Sequence, residues 1–146
     1  MKTRNTIQCF VILEVVRGMQ GHATAEEIFA MVERVNPRIS RATVYRNLNR
    51  LSENGLIRRI GVPGAADRFE RELNPHYHVK CVRCGRISDV DLPYADHLED
   101  KVQDKHGYIL TGHDIVFSGI CPDCQRAMTE EEQEGAPAES EAGCVL

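Results

Sequence analysis

The chain has 146 residues, 42% of them hydrophobic and 27% charged, with a formal net charge of -4. That mixture fits one globular domain or two very small ones, and it excludes a wholly disordered chain, a collagen-like repeat and a coiled-coil rod. No apolar run approaches the ~20 residues of a membrane span and MKTRNTIQ opens no signal-peptide core, so a soluble cytoplasmic protein without membrane contact is expected, while the negative charge taken alone argues against a polyanionic partner.

Residues 5–18 are apolar on most sides (Ile7, Phe10, Val11, Leu13, Val15, Val16) and predict a buried helix ending near Gly18 and Gly21. Thr24-Ala25-Glu26-Glu27 has the form of a capping box and starts a second helix, with Ile28, Val32 and Val35 as its core stripe and Pro37 closing it. A third helix takes Ser40 as N-cap, stops before Gly55 and buries Val44, Leu48 and Leu51. Leu56–Val62 and Ala66–Leu73 read as strands joined by a turn at Pro63-Gly64. Three helices and such a hairpin make the winged helix-turn-helix pattern; a small α+β domain without a nucleic-acid role fits the pattern equally well.

Asn74-Pro75 predicts a hinge, because the residue before proline is pushed away from helical geometry. Strands follow near His78–Val82 and Gly85–Leu92, then a helix over Tyr94–His106 and a last strand over Tyr108–Ile120. This second unit is too small to bury a sufficient core alone and calls for a metal or a partner subunit. From Thr129 the sequence TEEEQEGAPAESEAGCVL carries six glutamates and no Lys or Arg, and predicts a disordered acidic tail. The expected organisation is therefore α+β: a DNA-binding winged helix over residues 1–74, a small α/β dimerisation and metal-binding domain over 75–128, and a tail over 129–146.

Six cysteines are many for a cytosolic chain. Four fall in two C-x-x-C turns, Cys81/Cys84 and Cys121/Cys124, and two such turns supply the four thiolates that tetrahedral zinc prefers. A dithiol redox centre is the alternative, but neither pair sits between a strand and a helix of a βαβ unit. Cys9 reads as a small hydrophobe in the first helix and Cys144 as an incidental tail residue. His76-Tyr77-His78 puts two imidazoles on one face of an extended segment. With Glu70, Asp89 and His22 nearby in the pattern, they offer a nitrogen and oxygen shell suited to Fe²⁺, Mn²⁺ or Zn²⁺ and weaker than a thiolate shell, so that it can exchange.

The segments GHATAEEIF, SRATVYRNL, RFE, HYHVKCVRCG and CPDC together resemble the ferric uptake regulator family, from about residue 5 to 126. The resemblance implies a homodimeric, metal-responsive repressor. Structural zinc would lie on Cys81, Cys84, Cys121 and Cys124, and a regulatory Fe²⁺ or Mn²⁺ on His22, Glu70, His76, His78 and Asp89. The His-Tyr-His run and Asp89 look like the peroxide-sensing branch; Glu70 and Tyr45-Arg46 look like the iron branch. A further family site would use positions 75 and 77 with Asp96 and His113, and here Pro75 and Tyr77 replace two of its ligands.

In the third helix Arg46, Asn49 and Arg50 share the face opposite the core stripe, flanked by Arg41, Tyr45 and Asn47. Arginine reads guanine and asparagine reads adenine in the major groove, so this helix is the candidate reader of a double-stranded, pseudo-palindromic operator. Arg58, Arg59, Arg68 and Arg71 are candidate phosphate contacts from the wing. Residues 1–75 hold 12 Lys and Arg against 8 Asp and Glu, while residues 76–146 hold 6 against 14. The overall charge thus conceals a basic first half. The rival readings are a zinc or manganese uptake regulator of the same family, a zinc-ribbon interaction module, and a metal-dependent hydrolase; the sequence shows no nucleophile motif for an enzyme.

Overall fold

The computed structural model describes residues 4–134. Helix α1 (Arg4–Gly18) leads to a short strand β1 (Ala23–Thr24), helix α2 (Ala25–Val35) and helix α3 (Arg41–Glu53). Thr24 caps α2 as expected: its hydroxyl accepts from Glu27 N–H, and the Glu27 carboxylate takes the Thr24 N–H at 2.8 Å. Ser40 caps α3 through Thr43 N–H. Gly55 follows α3 with φ +70°, a conformation in which a side chain would be strained.

The three helices enclose one apolar core. Ile12, Val16, Ile28, Val32, Val44 and Leu48 are fully buried, with Leu51, Ile57 and Phe69 packed on them. Cys9 is only partly buried at its margin. The expected stripe on α2 is corrected at Val35, which is 67% exposed because the last turn of α2 overhangs the core. Helix α1 likewise buries one face and leaves Ile7 and Phe10 exposed.

Strands β2 (Arg58–Ile60) and β3 (Arg68–Glu70) form the wing hairpin, and β1 joins them in an antiparallel sheet of order β1-β3-β2. The register sets Arg58 opposite Glu70 and Arg59 opposite Phe69. Side chains alternate along a strand. Arg58, Arg68 and Glu70 therefore share one face, and Phe69 enters the helical core from the other.

Beyond Pro75, β4 (Tyr77–Cys81), β5 (Ile87–Val90) and β6 (Val116–Gly119) make a second sheet of order β5-β4-β6, antiparallel to β5 and parallel to β6. Helix α4 (Pro122–Glu134) starts at the second C-x-x-C turn. Three expectations are corrected in this region. Tyr94–His106 forms only a 3-10 turn, Leu98–Lys101. Its apolar residues are few (Ala95, Leu98, Val102), and a helix without an apolar face to pack draws little stability from propensity alone. The strand expected over Tyr108–Ile120 is confined to β6, with Tyr108 and Ile109 74% and 91% exposed. Finally, α4 continues through Glu134, into the stretch expected to be disordered; residues 135–146, including Cys144, lie outside the described residues. No helix among the described residues is long and apolar enough to cross a membrane.

Leu48 is fully buried in the helical core, where α3 packs on α1 and α2. Leu48→Ala is expected to cost about 2–5 kcal/mol of stability, read as a lower urea midpoint at unchanged slope.

Candidate metal centres and nucleic-acid face

Among the described residues two clusters of ligand side chains form, and in each the donor atoms lie within 4.8 Å of one another. The first joins Cys81, Cys84, Cys121 and Cys124. Cys81 ends β4, the turn through Gly85 (φ +75°) carries Cys84, and Cys121 and Cys124 flank the start of α4. Cys84 Sγ and Cys121 Sγ are 3.7 Å apart. A tetrahedral shell with zinc–sulfur bonds of about 2.3 Å sets its sulfurs about 3.8 Å apart, so the spacing fits zinc. Backbone N–H groups of Cys121, Cys84 and Arg83 point at Cys81 Sγ and bring its thiol down to about 6. The adjoining sulfurs, Cys121 first, push Cys124 up to about 12. One thiolate is thus prepared by the turn, while the last proton stays until a cation replaces it.

The second cluster joins His22, Glu70, His76, His78 and Asp89. His22 precedes β1 and Glu70 ends β3, both on the wing sheet; His78 on β4 is the direct register partner of Asp89 on β5; His76 stands at the linker between the sheets. Glu70 and His78 are only 3% and 2% exposed, whereas the Asp89 side chain is 63% exposed. His22 Nε2 lies 2.9 Å from both Glu70 Oε2 and Asp89 Oδ1, and His76 Nε2 lies 3.4 and 3.2 Å from the same atoms. Despite these short separations, His22 Nε2, His76 Nε2, His78 Nε2 and Glu70 Oε1 are buried without a hydrogen bond of acceptable geometry. The lone pairs face a common point rather than each other. Nitrogen and carboxylate donors so arranged fit a divalent cation.

The ring orientation of His76 supports this. Its Nδ1 is 2.8 Å from the Asn74 carbonyl oxygen, which can only accept, so Nδ1 carries the hydrogen and Nε2 keeps its lone pair. Tyr77, pointing to the opposite face by alternation, belongs to a separate network. Ala95 N–H donates to Tyr77 Oη at 3.0 Å, Oη donates to His113 Nε2 at 2.8 Å, and His113 Nδ1 meets Glu99 Oε1 at 2.7 Å. Both His113 nitrogens are engaged, and His113 and Asp96 join neither ligand cluster.

The outer face of α3 exposes Arg41, Tyr45, Arg46, Asn49 and Arg50. A groove of about 440 Å³ separates it from the hairpin and is lined by Glu26, Tyr45, Asn49, Arg59 and Asp67 among others. Glu26 holds both Tyr45 Oη at 3.1 Å and Arg41 at 2.8 Å, and Arg59 pairs with Asp67 while donating to Asn49. Four residues expected as DNA contacts are engaged elsewhere. Asn47 is 7% exposed and donates to the Thr43 carbonyl, because it sits beside Leu48 on the core side of α3. Arg58 turns inward to the linker, its side chain 18% exposed, because alternation puts it with Glu70. Arg68 is inward for the same reason, bridging Glu27 and the Gly85 carbonyl, and Arg71 donates to the Arg17 carbonyl. The hairpin register that decides these directions is not readable from residue types.

With this geometry the comparisons are specific. A sequence model of the ferric uptake regulator family matches residues 1–118. The chain belongs to the ferric uptake regulator family. Its members are transcription regulators, not enzymes. It is 33% identical over 123 residues to the peroxide operon regulator of Bacillus subtilis, covering 84% of this chain and 85% of that one. Among solved structures, the Helicobacter pylori ferric uptake regulator, described as having three functional metal-binding sites, aligns at TM-score 0.67 and 26% identity over 84% of each chain. The Campylobacter jejuni peroxide stress regulator aligns at TM-score 0.64 and 29% identity, over 83% of this chain and 91% of that one.

The titration of the second cluster gives a pH signature. Burial pushes the Glu70 carboxyl up, but the His22, His78 and His76 imidazoles outweigh it and bring it down to about 2. His22 is raised above 6.5, first by the Glu70 carboxylate, with burial opposing and Asp89 adding. A depressed carboxyl stabilises the fold above its unfolded value near 4.5 and loses this as pH falls; a raised imidazole stabilises below 6.5 and loses this as pH rises through its folded value. Without a regulatory ion, the stability difference between wild type and His22→Gln is expected to be largest between those two values and to shrink toward pH 8, as followed by thermal melts. For the thiolate cluster, about one zinc per chain is expected, with the four thiols becoming reactive and the second sheet unfolding on chelation, measured by metal analysis and thiol titration.

Proposed function

We propose that the protein is a metal-dependent, DNA-binding repressor of the cytoplasm, responsive to iron or peroxide stress, that binds palindromic operators as a homodimer. The observation that carries this reading is the five-residue cluster, whose ligands come from both sheets and from the linker between them. His22, Glu70, His76, His78 and Asp89 would hold an Fe²⁺, Mn²⁺ or Zn²⁺ ion, whose positive charge would satisfy the donors that already face one centre. His22 and Glu70 belong to the unit that carries α3, Asp89 and His78 to the second sheet, so closing the cluster fixes the angle of α3 relative to the second sheet. A ~100-fold preference for the closed arrangement amounts to about 2.7 kcal/mol, an ordinary coupling energy.

Arg41, Tyr45, Arg46, Asn49 and Arg50 are the proposed base and backbone readers, with Arg59 of the wing beside them. Structural zinc on Cys81, Cys84, Cys121 and Cys124 stabilises the second unit. Dimerisation through that unit is supported by its exposed apolar residues, Tyr108, Ile109, Phe117 and Ile120 among them, since single chains rarely leave such groups uncovered. The domain division at residues 74 and 75 follows the two sheets, with the second unit running at least to the end of α4.

His78→Ala is expected to retain zinc at the thiolate cluster and the dimer, yet to lose metal-stimulated operator binding by about 100-fold. A gel-shift titration with Fe²⁺, Mn²⁺ and Zn²⁺ reads this directly; stimulation equal to wild type would remove the cluster from the switch. Repeating the Fe²⁺ series after peroxide separates the two branches. Release of DNA with one added oxygen on a histidine peptide assigns peroxide sensing, and unchanged peptides assign plain metal sensing.

A further inference from the structure

Arg58 makes a set of contacts that no DNA-binding role explains. Its side chain is largely buried between the wing and the second sheet. Nη1 donates to the Asn74 carbonyl at 3.3 Å, and Nη2 donates to the His76 carbonyl at 3.4 Å and to Asp114 Oδ1 at 3.3 Å. The two carbonyls flank Pro75, and Asp114 lies just before β6. One planar guanidinium thus ties the wing, both ends of the linker and the approach to the second sheet. Nη1 also lies 3.8 Å from Glu70 Oε1 and 3.1 Å from His76 Nδ1.

The last distance exposes a choice at His76. If Nδ1 accepted from Arg58, a neutral ring would carry its hydrogen on Nε2 and could not offer that atom to a cation. If Nδ1 donates to the Asn74 carbonyl, Nε2 is free. The shorter separation, 2.8 Å, belongs to the carbonyl. The Asn74 carbonyl decides between them, because its oxygen can only accept, and Arg58 Nη1, 3.3 Å from that oxygen, holds it against the imidazole.

We propose that Arg58 is a positioning residue for the regulatory metal: its fork, anchored on Asp114, clamps the linker so that the Asn74 carbonyl holds His76 with Nε2 aimed into the cluster. The role needs the fork and not only the charge. A lysine ammonium at the same place keeps the cation near Glu70 but cannot hold two carbonyls and a carboxylate in one plane. The inference rests on the reading of the five-residue cluster as the regulatory site.

The test titrates Mn²⁺ into the full-length protein with zinc retained at the thiolate cluster, following free and bound Mn²⁺ by electron paramagnetic resonance. Wild type and His78→Ala test the cluster itself: no bound Mn²⁺ in wild type, or equal binding in His78→Ala, removes the site and the role of Arg58 with it. Given a cluster that binds, Arg58→Gln is expected to weaken Mn²⁺ at least tenfold, the usual effect of removing a group that orients a ligand. Arg58→Lys is expected to stay weak as well. Wild-type affinity in Arg58→Gln, or full restoration by Arg58→Lys, overturns the proposal while leaving the site intact. Should Arg58→Gln lose zinc or helical signal, Asp114→Asn carries the test: its side chain is 66% exposed, so the fold tolerates the change. Weaker Mn²⁺ there supports the clamp, and unchanged affinity overturns it.

Discussion

Four buried donor atoms without hydrogen bonds, on side chains from both sheets and the linker, are the constraint around which the rest of the protein is arranged. A buried polar atom left unpaired costs about 1–3 kcal/mol, and native structures keep few of them. Here they are concentrated at one point. Backbone pairing holds them there, His78 by the β4–β5 register, Glu70 by the pairing of β3 with β2 and His22 by its place before β1, and the attraction between the imidazoles and the Glu70 carboxylate adds to it. Such a cluster persists only if its scaffold is over-determined, and the adjacent Arg58 and Arg68 contacts supply that surplus.

The two ligand clusters divide the work by donor chemistry. Past Pro75, the buried residues among those described are Tyr77, His78 and Cys81, far too few for an independent core. Four thiolates supply a covalent-strength substitute, and the ion pair of Arg86 with Asp123 adds a second tie between the knuckle and α4. The nitrogen and oxygen cluster binds less tightly, and its Asp89 side chain reaches solvent, which leaves one side open to exchange. A single thiolate centre would build the unit but not report on metal supply.

Much of this was legible in the residues. The capping box at Thr24, the Ser40 cap and the Val44, Leu48 and Leu51 stripe follow from local chemistry and stand in the structure as read. Spacing fixes each C-x-x-C turn and the H-x-H face locally, and the family resemblance names both ligand sets, but their convergence in space comes from the tertiary fold. What sequence did not disclose depends on register and on neighbours. Arg58 differs from Arg59 only in parity along a three-residue strand, and parity decides between clamp and outer face. Asn47 is polar on a polar helix, yet it lies beside Leu48 and bonds the preceding turn. The segment over Tyr94–His106 has helical composition but buries none of its residues, Leu98 being half-buried and Val102 exposed, so the chain forms one 3-10 turn there.

In the proposed switch the same parity would couple the ligand cluster at one end of the wing to the helical core beside it. In β3, Arg68 and Glu70 face the second sheet and Phe69 faces the helical core. Phe69 packs in the cluster that contains Val44, Leu48 and Leu51, the inner face of α3. Close-packed interiors transmit displacement rather than absorb it. Glu70 is therefore coupled to Phe69, and Phe69 to the helical core in which it packs. Three consecutive residues join the ligand cluster, the Arg68 contact to the knuckle and the helical core that carries α3. In the proposed switch the wing would be the lever between sensor and reader, with Arg59, on the same face as Phe69, pairing beside α3.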